Sequence, residues 1–168
     1  YITALKIINH STKSFNKKCI LLLELFKENI TIQRVVIEYL LQFDKDFFWN
    51  NINLFEKDKF IDLLWYLSFD DVNFEIVNQD DFLSELYSAK GYTDNKRRSD
   101  IFELNILILL NQNKEFNKAE LNFEFICKKC KYISPIYENR CHSCHDILSF
   151  ETQLELTKNI SKENQSLQ

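Results

Sequence analysis

Four of the five cysteines stand in two pairs near the C-terminus, Cys127-Lys128-Lys129-Cys130 and Cys141-His142-Ser143-Cys144, separated by ten residues. Two thiolates two residues apart can hold one metal ion from a tight turn, and two such turns complete a tetrahedral site. No other feature constrains the fold as much. Whatever precedes them, the residues around these pairs must bring two separate turns to a common point.

Four thiolates around Zn²⁺ make a closed, redox-silent site with no position for substrate, so the expected role is structural. Roughly 10–16 kcal/mol of apparent metal-binding free energy then replaces the core that a module of about 30 residues cannot build. Iron stays open as an alternative metal for the same four sulfurs. Cys141-His142-Ser143-Cys144-His145 also has the spacing for covalent haem c attachment with His145 as axial ligand. That assignment leaves the first pair unexplained, and the chain has no Met to serve as second axial ligand. A dithiol oxidoreductase needs its pair at a helix N-terminus, whereas these pairs adjoin predicted strands. Ligands are therefore expected at Cys127, Cys130, Cys141 and Cys144, with His142 and His145 beside the metal or exposed. Lys128, Lys129, Lys131 and Arg140 outnumber Glu138 and Asp146, which makes the ribbon locally positive. Cations there stabilise a doubly negative tetrathiolate, and the four basic residues form a candidate partner-binding surface.

The chain of 168 residues contains one Gly and one Pro, where average usage would give about 12 and about 8. Tight β-turns and glycine-lined phosphate loops are almost excluded, which points to helices joined by short polar connections. Residues 1–116 read as a helical scaffold. Ile32, Val35, Val36, Tyr39, Leu40 and Phe43 recur at helical spacing, with Thr31 placed to cap the start. Phe60, Leu63, Leu64 and Leu67 repeat the pattern after Asp58. Phe82, Leu83, Leu86 and Tyr87 do so before Gly91, which is placed as a C′ stop. Asp100 and Glu103 form a candidate capping box for a helix over 101–110, whose run 106–110 is apolar on nearly every side, so that the helix is expected to be covered by others. Lys96, Arg97 and Arg98 fall in a charged connection, and Cys19 reads as a buried packing residue. The helices fit either a tetratricopeptide-like solenoid or an irregular bundle, because no 34-residue consensus emerges.

From residue 119 the period changes. Leu121, Phe123 and Phe125 alternate with polar residues up to Cys127, and Leu148, Phe150, Leu154 and Leu156 keep a period of two after Cys144. The expected architecture is mainly α: a helical domain, then a small β zinc ribbon over 119–157 and a polar tail over 158–168. The formal charge is −4, so nucleic acid is an unfavoured partner and a nucleic-acid-binding ribbon is the second choice. No phosphate loop, activated Ser or Cys dyad, or open metal site is present, so no enzymatic activity and no small-molecule substrate are expected. Protein partners are. The chain begins at Tyr1 and contains no Met. A longer native protein is expected, cytoplasmic, with an upstream membrane anchor left open; no run of 18 apolar residues occurs within the chain.

An aromatic two residues before the first Cys (Phe125), the first CxxC, an aromatic two residues after it (Tyr132), and then C-x-S-C after ten residues together resemble a rubredoxin-type ribbon. Such a ribbon closes the lipopolysaccharide assembly protein B family of tetratricopeptide-repeat adaptors. It is also similar to those ending the helical solenoids of intraflagellar-transport A subunits, where Lys131-Tyr132 and Pro135 have counterparts. Lys131 replaces the usual glycine, His142 the usual proline, and Tyr137 is the aromatic nearest to the tryptophan often found before the third Cys. The resemblance implies an adaptor near the cytoplasmic membrane face that recruits or shields clients of a membrane protease during envelope or flagellar assembly.

Overall fold

Polar side chains start four of the eight α-helices among the described residues. Ser14 accepts from the Lys17 N–H to open α2 (Phe15–Glu28), and Asp44 accepts from Phe47 N–H at 2.9 Å to open α4 (Lys45–Asn51). Asn73 caps the single turn α6 (Phe74–Val77), and Asp80 accepts from Leu83 N–H at 2.9 Å to open α7 (Asp81–Ala89). Each such cap contributes about 1 kcal/mol, so boundaries that glycine and proline would otherwise mark are set by Asn, Asp and Ser. The computed structural model describes residues 1–115 and 119–158. The remaining helices are α1 (Ile2–Ile8), α3 (Gln33–Phe43), α5 (Ile61–Trp65) and α8 (Phe102–Gln112). Helix lengths run from 4 to 14 residues, with 3₁₀ turns between several of them.

Gly91 does what its position implied. Its φ is +78°, its N–H donates to Ser88 O at 3.1 Å, and Tyr92 N–H donates to Tyr87 O at 2.9 Å. These two bonds make a Schellman stop, closed by the Tyr87 and Tyr92 rings stacked 5.9 Å apart.

Two other boundaries differ from expectation. Thr31 does not cap α3; a 3₁₀ turn over Ile30–Ile32 precedes that helix, and Asn29 caps the turn by accepting from Thr31 N–H at 3.1 Å and Thr31 Oγ1 at 2.6 Å. The Asp100–Glu103 box is also absent. Ser99 Oγ accepts from Ile101 N–H at 3.1 Å, while Asn105 Oδ1 accepts from Ser99 N–H at 3.2 Å. In neither case does a side chain cap the α-helix itself: α3 continues directly from the 3₁₀ turn, and Ser99 bonds the N-cap residue of α8. Nor is α8 covered all round: Leu104, Leu107 and Ile108 are buried, but Phe102 is 69% and Leu109 41% exposed. It packs on α7 and on the sheet from one side. Lys96, in the charged connection, pairs with Asp81 at 2.6 Å. Cys19 is fully buried.

The fold is a mainly helical body followed by a three-stranded antiparallel sheet of order β2-β1-β3. The strands are β1 (Ala119–Cys127), β2 (Ile133–Ser134) and β3 (Phe150–Lys158). β1 and β3 pair without interruption from Ala119↔Lys158 to Cys127↔Phe150. The predicted alternation holds, since Leu121, Phe123 and Phe125 are buried while Asn122 and Glu124 are not. Leu148, expected to extend β3, lies before it at φ +54°. Of the expected tail, Lys158 closes β3 and residues 159–168 lie outside the described residues; so does residue 116 of the expected scaffold.

Helices and sheet share one continuous cluster of buried side chains, from Ala4 to Phe150. A buried charge sits at their junction. Arg34 of α3 donates to both carboxylate oxygens of Asp62 in α5, through Nη1 at 2.9 Å and through Nη2, and through Nε to Glu38 at 3.0 Å. Its guanidinium lies 3.7 Å from the centre of the Tyr137 ring and 5.5 Å from that of Phe125. Thr152 of β3 donates to Asp62 at 3.3 Å. Burial works against the Arg34 charge, but the bonds to Asp62 outweigh it and hold the group firmly protonated. Burial likewise pushes the Tyr137 hydroxyl up to about 12. One ion pair thus connects two helices, β1, β3 and the loop between the cysteine pairs.

Candidate metal centre

Both cysteine turns are built alike. Lys131 N–H donates to Cys127 O and His145 N–H donates to Cys141 O, each at 2.9 Å. The residue after the second Cys of each pair is left-handed, Lys131 at φ +63° and His145 at φ +62°. This curl aims backbone N–H groups at the sulfurs: Lys129 and Cys130 at Cys127 Sγ, Tyr132 at Cys130 Sγ, Asp146 at Cys144 Sγ. Glycine adopts that conformation without the penalty of about 1–2 kcal/mol an L-residue incurs, so Lys131 and His145 hold it at a cost.

The four Sγ atoms lie within 4.8 Å of one another. Across the pairs, Cys127 and Cys144 are 3.7 Å apart, and Cys130 and Cys141 3.6 Å apart. Sulfurs bound tetrahedrally to one Zn²⁺ would be about 3.8 Å apart, and all five cysteines are free thiols. The site can therefore hold one metal ion, and its all-sulfur donor set accepts zinc or iron. Cys127 and Cys141 face the core, Cys144 is half-buried and Cys130 is exposed.

The electrostatics of the thiols point the same way. The Ser149 hydroxyl, 3.2 Å from Cys127 Sγ, is the main reason that thiol falls to about 6, aided by the Cys130 and Lys129 amides and opposed by burial. Cys130 is also lowered, chiefly by the Tyr132 amide. Cys144 goes the other way, to about 12, because burial and the three neighbouring thiols together outweigh the Asp146 amide. Four thiols this close repel one another once ionised, and a bound cation offsets that repulsion.

The basic residues of the ribbon are largely engaged. Lys128 pairs with Glu151 at 2.9 Å, Lys129 with Asp146 at 3.2 Å, and Arg140 Nε donates to His145 O at 3.3 Å. Lys131 is exposed on its left-handed turn. His142 is exposed, 3.8 Å from Glu138, and neither it nor His145 belongs to the sulfur cluster. Ser149 and the Arg34–Asp62–Tyr137 junction went unnoticed in the sequence, where Ser149 matches no motif and Arg34 and Asp62 lie 28 residues apart. A larger cleft of about 710 Å³ lies elsewhere, between the C-terminal end of α7 and α8, lined by Tyr92, Thr93, Lys96, Arg97 and Asn111 among others. No helix among the described residues is long and apolar enough to cross a membrane. Comparison with protein-family models, curated proteins and solved structures finds no match to this chain.

Proposed function

We propose that this chain is a non-enzymatic, protein-binding adaptor or assembly chaperone whose helical body is closed by a structural zinc ribbon. The four converging sulfurs carry this reading: they fill a tetrahedral coordination sphere from the protein alone, leaving no position for a substrate or a nucleophilic water. When bound, the metal supplies a cross-link between two turns. Cys127 and Cys141 anchor it to the core, Ser149 holds the Cys127 thiolate, and the left-handed turns at Lys131 and His145 present the amides. A narrower role, handling clients of a membrane protease from the cytoplasmic side, rests on the ribbon resemblance alone. Binding to nucleic acid is disfavoured by the net charge of −4 and by the engagement of Lys128 and Lys129 with carboxylates.

Native mass spectrometry before and after a strong chelator tests the metal: one Zn²⁺ is expected, and an unchanged mass would reject the site. Quantitative pull-down with the intact, metal-loaded chain tests the adaptor. Recovery of no protein partner, together with turnover of a substrate, would replace it with an enzyme. Affinity for nucleic acid that falls steeply with salt would favour the second reading.

A further inference from the structure

The solvent face of the long strand pair plays no part in the metal centre. Along β1 its outward residues are Glu120, Asn122, Glu124 and Ile126, and along β3 they are Glu151, Gln153, Glu155 and Thr157; the register sets Asn122 beside Glu155 and Glu124 beside Gln153. Four carboxylates therefore share one face of two adjacent strands. Glu151 is paired with Lys128, whose bond holds it below the ordinary glutamate range. Glu120, Glu124 and Glu155 have no ion pair among the described residues.

β3 is also an edge strand. Lys128 N–H donates to Ser149 O, and in an antiparallel ladder this phase turns the backbone groups of 151, 153, 155 and 157 toward β1. Those of Thr152, Leu154 and Leu156 point the other way, where no strand pairs with them among the described residues. An edge of nine regularly paired residues, with no Pro, Gly or bulge, is a template for another chain. Its inward side chains Leu154 and Leu156 are only half-buried, so an added strand would cover apolar surface as well.

We propose that the outer edge of β3 and its acidic face dock a basic, extended segment of a partner protein. The segment adds as a further strand beside β3. Its Lys or Arg side chains lie beside Glu155, and apolar residues at the alternate positions continue the row of Leu154 and Leu156. Glu120 and Glu124 on the next strand strengthen the same field, which repels nucleic acid and selects against acidic peptides. The proposal rests on the adaptor reading and names the chemistry of the partner.

The test uses the full, metal-loaded chain and three synthetic octapeptides: alternating Lys and Val, the same sequence N-methylated at alternate residues to block strand pairing, and alternating Glu and Val. Amide shifts are mapped by NMR at about 50 mM salt, where surface charges are weakly screened. The Lys-Val peptide should shift the amides of Thr152, Leu154 and Leu156, and its Kd should rise at least tenfold in a Glu124→Lys/Glu155→Lys variant that retains one Zn²⁺. The methylated and acidic peptides should leave β3 unshifted. Unshifted β3 amides with the Lys-Val peptide, or equal binding of the methylated one, would overturn the docking mode even if the variant failed to fold. Equal affinity of wild type and variant would overturn the role of the carboxylates. If a protein partner is captured equally well by wild type and variant, the surface is wrong and the adaptor reading stands. If the peptide binds as expected but no protein partner exists, the adaptor reading fails and the surface stands.

Discussion

The helical body and the ribbon solve the same problem, closing a chain on itself, by different physical means. In the body, fully buried side chains such as Leu22, Val36, Leu40, Phe48, Phe60, Leu64 and Leu86 supply the driving force, and polar caps set the helix ends. The ribbon buries fewer large groups, chiefly Phe123, Phe125 and Phe150, and it brings its two turns together through sulfur. The left-handed turns do not divide in the same way: the body places glycine at position 91 but Lys114, at φ +58°, after α8, and the ribbon uses Lys131 and His145. A region with an apolar core loses little if one contact is imperfect, whereas one that depends on a metal loses most of its order when the metal leaves.

The largest effect should come from the metal. Chelation, or Cys127→Ser, removes a share of the roughly 10–16 kcal/mol typical of structural zinc sites. NMR should then show the amides of 127–150 collapsing to unfolded shifts while those of α2, α3 and α7 stay dispersed; simultaneous loss of both would mean that the two regions form one cooperative unit. Next is the junction. Asp62→Ala strands Arg34 without its buried partner and should cost about 3–5 kcal/mol, read as a fall in the denaturant midpoint. Arg34→Met/Asp62→Leu should recover most of that loss, and an additive double mutant would break the claim that the pair acts as a unit.

Smaller effects should come from the left-handed turns. Gly91→Ala meets only ordinary contact, with Asn111 at 3.5 Å, so its cost comes from φ; about 1 kcal/mol of destabilisation is expected. Lys131→Gly should do the reverse, raising the thermal midpoint of the metal-loaded chain by relieving a similar strain, of about 1 kcal/mol. A Lys131→Gly chain no more stable than wild type would show that the ribbon tolerates its lysine without strain. The smallest effect concerns pH. Hydrogen bonds from Lys45 and Ser68 hold the Asp71 carboxyl below the ordinary aspartate range. Because the folded pKa lies below the unfolded one, this contribution is complete above the unfolded value and disappears as pH falls through the folded value. Comparing wild type with Asp71→Asn between pH 5 and pH 2 should show the difference in stability shrinking as acid is added.

Legibility followed the range of the interactions. The Schellman stop at Gly91 and the alternation of Leu121, Phe123 and Phe125 were readable because each depends on neighbours within a few residues. The caps expected at Thr31 and Asp100 are absent although a cap is local: Asn29 caps a 3₁₀ turn that leads straight into α3, and Ser99 bonds the residue before α8 and not one inside it. Phe102 and Leu109 looked like core because their helix is apolar on most sides, yet burial depends on how many elements arrive to cover it. The basic cluster of the ribbon was legible as composition; its engagement with Glu151 and Asp146 was not.

By itself, the sequence determined that two CxxC turns must meet, that a helical body precedes them and that strands flank them, because spacing and periodicity are local properties of the chain. Only the tertiary structure decided that Ser149 reaches Cys127, that Arg34 and Asp62 lie buried under Tyr137, and that the outward carboxylates share one face of β1 and the edge strand β3. Those contacts join residues far apart in the chain, and their energies depend on burial and on which partners the folded path brings within reach.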